Sequence, residues 1–547
     1  MAPARRNSRT RVRPSGPTGR TATVLLAATI GMLGPGVGPL TATAQAQDGE
    51  YYATPPPVQE SQVPPDAAPK PDRAYEKGTA CVTRNLGETV VLRNRPWGQG
   101  HLQIDDVHKM LQASNISAGG GVKVAVIDTG VTEHAYLSGR LEAGGDYVEE
   151  SKQGLEDCDG HGTEVAGIIA AKTPPDIAFR GVAPDAQIVS IRQSSQNYKP
   201  AKESQTAQPP ATGQQPPPEG GTPSNTATPG TELPPSNGGG QPAGDEETGS
   251  QQGGGGKRQQ DQEGAAGTVD TLAQAVRHAA DISGVKVINM SVDNCRPANG
   301  SISAGERRLQ AAVRYAVNKD VVVVAAAGNT GENCPQNGGP GADPNRPSTI
   351  VTPPWFGTDV LSVAAIDQSG GVAEFSVHGP WVSVAAPGTD IISLDPATKG
   401  STNLANQTIE NGEPQYIQGT SFAAPYVAGV AALVRAKYPD LNAREVMRRI
   451  TSTAQHPGAA SGRDNFVGYG VVNPMAALTA VIPAEENLPP AASQPVPPEM
   501  PGSSDRDWTP MIVALAGTGG GLIALLITLF TVHTIRRTRD RSATQRV

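Results

Sequence analysis

Five short, nearly continuous apolar runs in the middle of the chain constrain its fold more than any other feature. They are rich in β-branched residues and lie at 123–127, 188–191, 285–290, 321–325 and 360–363. Runs of this kind are typical of parallel strands buried on both faces of a sheet. Stretches with helical character lie between or after them, at 162–171, 269–281, 304–318, 421–438 and 442–453. This alternation predicts an α/β fold, a doubly wound parallel sheet with helices on both faces.

The two ends of the chain indicate export and a membrane tether. Residues 1–44 combine six arginines, an apolar run and a small-x-small site, the pattern of a secretory signal peptide. The alternative, an uncleaved anchor, is weakened by the glycines and prolines within residues 31–39. Residues 511–533 are apolar and uncharged, and are long enough to span a bilayer as one helix. The arginine-rich tail, 534–547, predicts a single-pass protein of the cell membrane whose tail is cytoplasmic and whose bulk is extracytoplasmic.

Composition argues against a nucleic-acid partner and gives no sign of a cofactor. The formal net charge is −8, and because the basic segments lie at the two ends, the exported part is more acidic than the whole. An acidic surface repels a phosphate backbone. We find no cysteine spacing typical of a zinc site and no loop with the calcium-binding pattern, so we expect no metal and no cofactor.

Two internal segments have a composition that cannot bury a core. Residues 199–267 consist mainly of Gln, Pro, Gly, Thr, Ser and Glu, and we predict a disordered insertion there. Such a loop is a candidate for proteolytic cleavage, for which Lys257–Arg258 is one site. The alternative is a passive spacer or an arm that contacts a partner. Residues 483–510 are proline-rich and predict a linker that leads to the membrane segment.

Four cysteines are present in the chain: Cys81, Cys158, Cys295 and Cys334. An even number of cysteines in an exported protein indicates disulfide bonds. Four cysteines can pair in three ways, and their spacing alone leaves all three pairings open.

Four polar residues at predicted element boundaries form a candidate catalytic set. Asp128 follows the first apolar run, His161 opens a helix, Asn329 follows the fourth run, and Ser421 begins a helix that is apolar almost all round. Each alone could be a turn, a surface residue or a helix cap. Together they meet the needs of a serine nucleophile, which requires a histidine base, a carboxylate that orients the imidazole, and donors for the oxyanion. The amide of Asn329 and the backbone N–H of Ser421 are candidate donors.

The motifs around these residues resemble those of the subtilisin superfamily. Asp-Thr-Gly at 128–130, His-Gly-Thr at 161–163 and Gly-Thr-Ser-Phe-Ala-Ala-Pro at 419–425 occur in the order Asp, His, Ser, and the match extends over 121–480 apart from the insertion. The resemblance implies a serine endopeptidase with an acyl-enzyme intermediate. It implies that Asp128 orients the imidazole of His161, which acts first as the base and then as the acid. It also implies that Ser421 is the nucleophile and that Asn329 completes the oxyanion hole.

Some positions bear on specificity or differ from the subtilisin pattern. Ser291, Val292 and Asp293 follow a predicted strand where subtilisins line the substrate cleft, so the resemblance assigns them to substrate binding. Asp293 there would favour a basic or small polar residue beside the scissile bond, and the alternative is a carboxylate in a surface turn. Glu164 and Tyr426 stand where many subtilisins carry histidine. We expect neither of them to take part in the chemistry.

The order of segments resembles the mycosins, the membrane-anchored proteases of mycobacterial-type type VII secretion systems. The predicted segments follow in the order signal peptide, cysteine-bearing extension at 45–86, peptidase domain at 87–482, linker and C-terminal membrane helix. Runs such as GVKVAVIDTGV and GVAALVRAKYP also resemble the mycosin sequences. The resemblance implies the disulfides Cys81–Cys158 and Cys295–Cys334, and an extension that wraps the domain rather than inhibiting it. It implies secreted polypeptides as substrates and components of the secretion membrane complex as partners. The alternative is a mainly structural subunit that stabilises that complex.

Overall fold

The computed structural model describes residues 51–201, 265–338, 343, 345–410, 412–459, 461–485 and 509–544. The predicted signal peptide, most of the predicted insertion with Lys257–Arg258, and most of the predicted linker lie outside these residues.

The described strands and helices follow in chain order. The strands are β1 (Tyr75–Lys77), β2 (Arg84–Asn85), β3 (Lys123–Asp128), β4 (Leu141–Asp146), β5 (Gln187–Arg192), β6 (Tyr198–Pro200), β7 (Val285–Met290), β8 (Asn294–Pro297), β9 (Val322–Ala326), β10 (Thr349–Thr352), β11 (Leu361–Ile366), β12 (Val384–Pro387), β13 (Ser393–Leu394), β14 (Leu404–Ala405), β15 (Gln407–Glu410) and β16 (Glu413–Tyr416). The α-helices are α1 (Trp97–His101), α2 (Ile104–Ala113), α3 (His161–Ala170), α4 (Val269–Asp281), α5 (Ala304–Asn318), α6 (Thr420–Lys437), α7 (Ala443–Ser452), α8 (Pro474–Thr479) and α9 (Thr509–Thr544). Short 3-10 helices lie at Glu60–Gln62, Ala135–Leu137, Glu150–Lys152 and Pro354–Asp359.

A seven-stranded sheet forms the centre of the fold, with strand order β12-β11-β9-β7-β3-β5-β4. All its neighbouring strands are parallel. The five predicted apolar runs are β3, β5, β7, β9 and β11, so the predicted doubly wound parallel sheet is confirmed. The edge strands β4 and β12 were not predicted. β4 reads Leu-Glu-Ala-Gly-Gly-Asp and β12 reads Val-Ala-Ala-Pro, so neither carries a run rich in β-branched residues.

Helices cover the sheet and begin where the local sequence favours a helix. The predicted helices are α3 to α7, each within two residues of its expected bounds. α4, α5 and α7 start at capping boxes, in which the N-cap residues Thr268, Ser303 and Asn442 accept from the backbone N–H three residues on. α6 is buried along nearly its whole length and contacts β7, β9, β11 and β12. α1, α2 and α8 were not predicted.

The extension contacts the peptidase domain at points far apart in the sequence. Tyr51 N donates to Gly300 O at 2.9 Å, and Gln310 Nε2 donates to Pro56 O at 2.8 Å. Farther along, β1 pairs antiparallel with β6, and β2 pairs antiparallel with β15. The extension therefore supplies strands that complete small sheets of the domain.

Both ends of the predicted insertion are ordered, which corrects the expected bounds 199–267. Lys199 and Pro200 belong to β6, and Ala266 forms a β-bridge with Ser195. Neither end carries an apolar run that would predict a strand. β6 pairs with β1 of the extension, more than a hundred residues away in the chain, whereas Ala266 pairs with Ser195 of the peptidase domain.

The structure contains the two disulfides that the resemblance implied. Cys81–Cys158 links the extension to the loop before α3, and Cys295–Cys334 links β8 to the loop after β9. Their sequence separations are 77 and 39 residues, so both restrict long stretches of the unfolded chain.

The C-terminal helix has the length and composition of a membrane span. Its portion Thr509–Arg537 is long and apolar enough to cross a bilayer, and its large side chains are exposed.

Removing Cys81–Cys158 by Cys81→Ser with Cys158→Ser should lower the free energy of unfolding by about 2–5 kcal/mol. The matched double variant Cys295→Ser with Cys334→Ser should lower the free energy of unfolding by about 0.6 kcal/mol less than the first double variant does, because its disulfide closes a loop about half as long. Urea unfolding of the full chain in detergent, followed by fluorescence, measures both. An unchanged midpoint for both pairs would contradict the prediction.

Candidate active site

The candidate site lies where the strand order of the central sheet reverses. From β3 the chain adds β4 and β5 on one side and then β7, β9, β11 and β12 on the other. In open α/β sheets, ligands bind at the carboxyl ends of the strands beside such a reversal. Asp128 is the last residue of β3, and Asn329 follows β9 by three residues. Two predicted site residues therefore share one edge of the sheet.

Asp128, His161 and Ser421 form a continuous hydrogen-bonded chain. His161 Nδ1 lies 2.7 Å from Asp128 Oδ1, and His161 Nε2 lies 2.8 Å from Ser421 Oγ. An ionised carboxylate can only accept, so Nδ1 carries the proton and Nε2 of the neutral ring accepts from the serine hydroxyl. Asp128 and His161 are buried, and Ser421 is 7% exposed. The arrangement fits a base that removes the hydroxyl proton and a carboxylate that fixes the tautomer of that base.

Asp157 fixes the loop that presents His161, and the sequence analysis missed this role. The carboxylate of Asp157 accepts from the hydroxyl groups of Thr129 and Thr163 at 2.8 and 2.7 Å, and from the backbone N–H groups of Gly160 and Thr163 at 2.8 Å. It thereby connects the end of β3 with the first turn of α3. An aspartate just before a helix start was the available signal. Burial raises the pKa of Asp157 to about 7, and the hydrogen bonds from Thr163 oppose this shift.

A buried ion pair lies on the strand next to Asp128. Arg192 is opposite Asp128 in the register of β3 and β5, and its side chain is fully buried. Arg192 Nε lies 2.8 Å from Asp146 Oδ2, and Arg192 Nη1 lies 2.9 Å from Glu156 Oε2. Burial raises the pKa of Asp146, and the nearby charge of Arg192 opposes the shift. The pairs join the carboxyl ends of β4 and β5 to the loop that leads to His161.

Ser421 is the second residue of α6 and does not cap that helix. The N-cap is Gly419, and the hydroxyl of Ser421 faces His161 instead of a backbone N–H. Pro425 has no N–H, so the carbonyl of Ser421, four residues earlier, lacks its usual helical partner. That carbonyl accepts from Ser291 Oγ at 2.7 Å. A proline early in the helix thus lets a neighbouring segment bind the backbone of Ser421.

Asn329 is held with its amide group directed toward Ser421. Asn329 Oδ1 accepts from Thr420 N at 2.9 Å and from Thr420 Oγ1 at 3.0 Å. Because the oxygen is engaged, the Nδ2 donor remains for another acceptor. A Cβ atom placed on Gly419 would lie 3.0 Å from Ser421 Oγ and 3.5 Å from Asn329 Nδ2. The missing side chain of Gly419 thus leaves open the space between the hydroxyl and the amide donor.

The segment assigned to substrate binding contacts Ser421, but its carboxylate is not at the surface. Ser291, Val292 and Asp293 follow β7 directly and are 2%, 2% and 8% exposed. The alternative of a surface turn carboxylate therefore does not hold for Asp293. The disulfide Cys295–Cys334 connects the end of this segment to the loop that carries Asn329.

The two positions that differ from the subtilisin pattern are both buried. Glu164, on the first turn of α3, forms a salt bridge with Arg84 of the extension. Tyr426 is buried within α6, where its hydroxyl is near Gly98, and burial raises its pKa. Within the part of the chain that the structure describes, no group of three or more His, Cys, Asp or Glu side chains is arranged to hold a metal ion.

Comparisons with known proteins identify relatives that match most of the chain. Residues 119–470 match the subtilase family, peptidase S8. Mycosin-1 of Mycobacterium tuberculosis is 38% identical over 479 residues, which are 85% of this chain and 91% of that protein. The crystal structure of MycP1 from Mycobacterium smegmatis is similar with a TM-score of 0.62 and 35% identity, covering 81% of this chain and 99% of that one. A chain in the structure of an intact ESX-5 inner membrane complex is also similar, with a TM-score of 0.62 and 35% identity over 88% of this chain and 99% of that one.

Gly419→Ala should slow the reaction of Ser421 with a serine-directed phosphonate by about 10²-fold, because the added methyl group would displace the hydroxyl or the phosphonate oxygen. Time-resolved labelling of the full-length protein measures this rate. Gly331→Ala is the matched control, since a Cβ atom at Gly331 meets no atom within 4 Å. Equal labelling rates for Gly419→Ala and the unmodified protein would contradict the interpretation.

Proposed function

Because the chain belongs to the mycosins within the subtilase family of serine proteases, we propose that it is a membrane-tethered serine endopeptidase with Asp128, His161 and Ser421 as its catalytic residues. The observation that carries the proposal is the hydrogen-bonded chain from the Asp128 carboxylate through the imidazole to the Ser421 hydroxyl. In this hydrogen-bonded chain the hydroxyl has a base within hydrogen-bond distance, and that base has a carboxylate partner that orients it.

Peptide hydrolysis would proceed through an acyl-enzyme. Ser421 Oγ attacks the carbonyl carbon of the scissile bond while its proton passes to His161 Nε2, and the carbonyl π electrons move onto oxygen. The C–N bond then breaks as His161 gives the proton to the leaving amine. Water attacks the ester in the second half, with His161 again as base, and releases the acid and Ser421. Asp128 stabilises the imidazolium in both halves and does not itself become protonated.

We assign the oxyanion to Asn329 Nδ2 and the backbone N–H of Ser421. The backbone N–H belongs to the first turn of α6, where N–H groups lack helical partners and the helix dipole is positive. Thr420 binds Asn329 Oδ1, so the amide would be oriented before the substrate arrives. Donors that are fixed in advance stabilise charge that develops in the transition state without the cost of reorganisation.

Substrates are proposed to be secreted polypeptides that lie along Ser291, Val292 and Asp293. Ser291 binds the carbonyl of Ser421, which brings this segment beside the nucleophile. The buried carboxylate of Asp293 would favour a basic or small polar residue next to the scissile bond. Repulsion between like charges would disfavour acidic residues there.

The proposed setting is the cell membrane, with the peptidase domain on the extracytoplasmic side. In this topology the signal peptide of residues 1–44 directs export, residues 511–533 span the membrane, and the basic tail at 534–547 is cytoplasmic. The extension of residues 45–86 would wrap the peptidase domain of residues 87–482, and residues 483–510 would link it to the membrane. The length and apolar character of α9 support the tether.

A second candidate function is a structural role in a type VII secretion complex. The similarity to a chain in the ESX-5 inner membrane complex favours it, since that similarity covers 88% of this chain. The two roles are compatible, because the surfaces that contact partners need not include the cleft. Components of the secretion membrane complex would be partners in both cases.

Ser421→Ala should abolish peptide cleavage and phosphonate labelling, because it removes the hydroxyl group that lies 2.8 Å from His161 Nε2. Ser369→Ala, a change at an exposed loop serine, is the control and should label normally. Undiminished labelling of the Ser421→Ala protein would refute the catalytic assignment.

Comparison of Ser421→Ala with complete deletion separates the two roles. We expect the Ser421→Ala strain to accumulate uncleaved secreted polypeptides in a proteomic comparison of exported proteins. If only the deletion blocks secretion, the structural role is the essential one. If the two strains lose secretion equally, proteolysis is essential.

Asn329→Ala should lower kcat by about 10²–10³-fold with little change in KM, which is the loss produced in subtilisin by removing one oxyanion-hole donor. The reason is that the amide binds charge present only in the transition state. Kinetics with a fluorogenic peptide measure both constants. A rise in KM at unchanged kcat would instead assign Asn329 to ground-state binding.

A further inference from the structure

Arg84 of the extension is a buried cation that binds three residues in two separate segments of the peptidase domain. Its side chain is 6% exposed, and Nε lies 2.5 Å from Glu164 Oε1 on α3. Nη2 lies 3.3 Å from Glu164 Oε2 and donates to Asp159 O at 3.0 Å, and Nη1 donates to Thr408 Oγ1 at 2.7 Å. The planar guanidinium group can make these contacts together because its donors are spread in a rigid fork.

Two of these contacts hold the turn that presents His161. Asp159 lies two residues before His161, and Glu164 lies three residues after it on the same helix. The Glu164 side chain is fully buried, so its carboxylate requires a compensating charge, which the salt bridge with Arg84 provides. Arg84 therefore binds the start of α3 at one residue that precedes His161 and at one residue that follows it in the sequence.

The third contact reaches the hairpin that leads to Ser421. Thr408 is on β15, β15 pairs antiparallel with β16, and β16 ends five residues before Ser421. β2 itself pairs with β15, with Arg84 directly opposite Thr408. One side chain thus joins the element that carries the base to the hairpin that precedes the nucleophile.

The position of Arg84 is itself fixed by neighbouring contacts. The disulfide Cys81–Cys158 lies three residues before it, and Val82 N donates to Cys158 O at 2.9 Å. On the other side, Asn406 N donates to Asn85 O at 3.0 Å. A guanidinium group held by a disulfide and by strand pairing can resist small displacements of the elements it bridges.

We propose that Arg84 is a positioning residue that holds α3 in register with the β15–β16 hairpin and so maintains the hydrogen bond between His161 and Ser421. The inference rests on the catalytic roles proposed for those two residues. A displacement of about 1 Å between reacting groups lowers turnover by about 10²-fold, so a small relative movement of α3 has a large effect. The extension thereby contributes to catalysis from outside the cleft and without contacting substrate.

Arg84→Met should lower kcat by about 10- to 100-fold, with KM changed less than about threefold, because alignment is lost while the cleft is kept. This variant also leaves Glu164 buried without its salt bridge, which lowers stability. The double variant Arg84→Met with Glu164→Met removes both charges and should recover stability, since apolar replacements of a buried ion pair are often neutral. We expect its kcat to remain low. Kinetics and phosphonate labelling of the full-length protein in detergent, normalised to folded protein, measure these effects.

Three further variants make the test specific. Thr408→Val introduces no buried charge, removes only the link to the hairpin and should lower kcat by a smaller factor. Arg84→Lys keeps a charge for Glu164 but lacks the guanidinium fork that binds all three partner residues, so its kcat should fall between those of the unmodified protein and Arg84→Met. Arg73→Met is the matched control, because Arg73 belongs to the same extension and its side chain is 58% exposed.

The outcomes separate this inference from the proposed function. If the unmodified protein is not labelled at Ser421, the proposed function fails. If the unmodified protein is labelled and the stable double variant shows the same kcat and labelling rate, Arg84 has only a structural role and the inference is overturned. A low kcat in the double variant, with Arg73→Met unaffected, supports it.

Discussion

The hydrogen bond between His161 Nε2 and Ser421 Oγ is the interaction on which the rest of the site depends. It spans 2.8 Å between residues that are 260 positions apart in the chain. A hydroxyl becomes a useful nucleophile only when the base is at this distance, so the elements that carry the two residues must meet within tenths of an ångström. The parallel sheet makes this possible because it ends β3, β7 and β9 at one edge, against which α3 and α6 begin.

Several polar contacts around this bond keep its partners in place, and each joins two chain segments. Asp157 connects β3 with α3, Thr420 orients Asn329, and Ser291 binds the carbonyl that Pro425 leaves free. Buried polar groups of this kind are costly when unpaired, so a displaced segment would lose several hydrogen bonds together. These buried contacts thus favour one arrangement of the site, while the missing side chain of Gly419 keeps the space beside Ser421 open.

The sequence predicted the central part of the fold well because the signals there are local. A buried parallel strand requires a continuous apolar run, and stretches of helical character lie between or after these runs, so β3, β5, β7, β9, β11 and the helices α3 to α7 could be located. The edge strand β4 and the extension strands could not, since their polar residues are ordered by partners distant in the chain. Asp157 was missed because its position before a helix start does not by itself identify the hydroxyl and N–H donors that bind it. The salt bridge of Glu164 was not predicted, since nothing in the sequence brings Arg84 near it.

By itself, the sequence determined which residue types are available and in what order. Asp128, His161, Asn329 and Ser421 stand at predicted element boundaries in motifs that resemble those of subtilisins. The N-terminal pattern predicts an export signal, and residues 511–533 form an apolar run. Only the tertiary structure decided how far apart these four residues lie and which cysteines pair. It also decided that Arg84 of the extension lies between α3 and the β15–β16 hairpin. The physical reason is that motifs and periodicity report on neighbours within a few residues. Hydrogen bonds and ion pairs between distant segments depend on how the sheet brings those segments together.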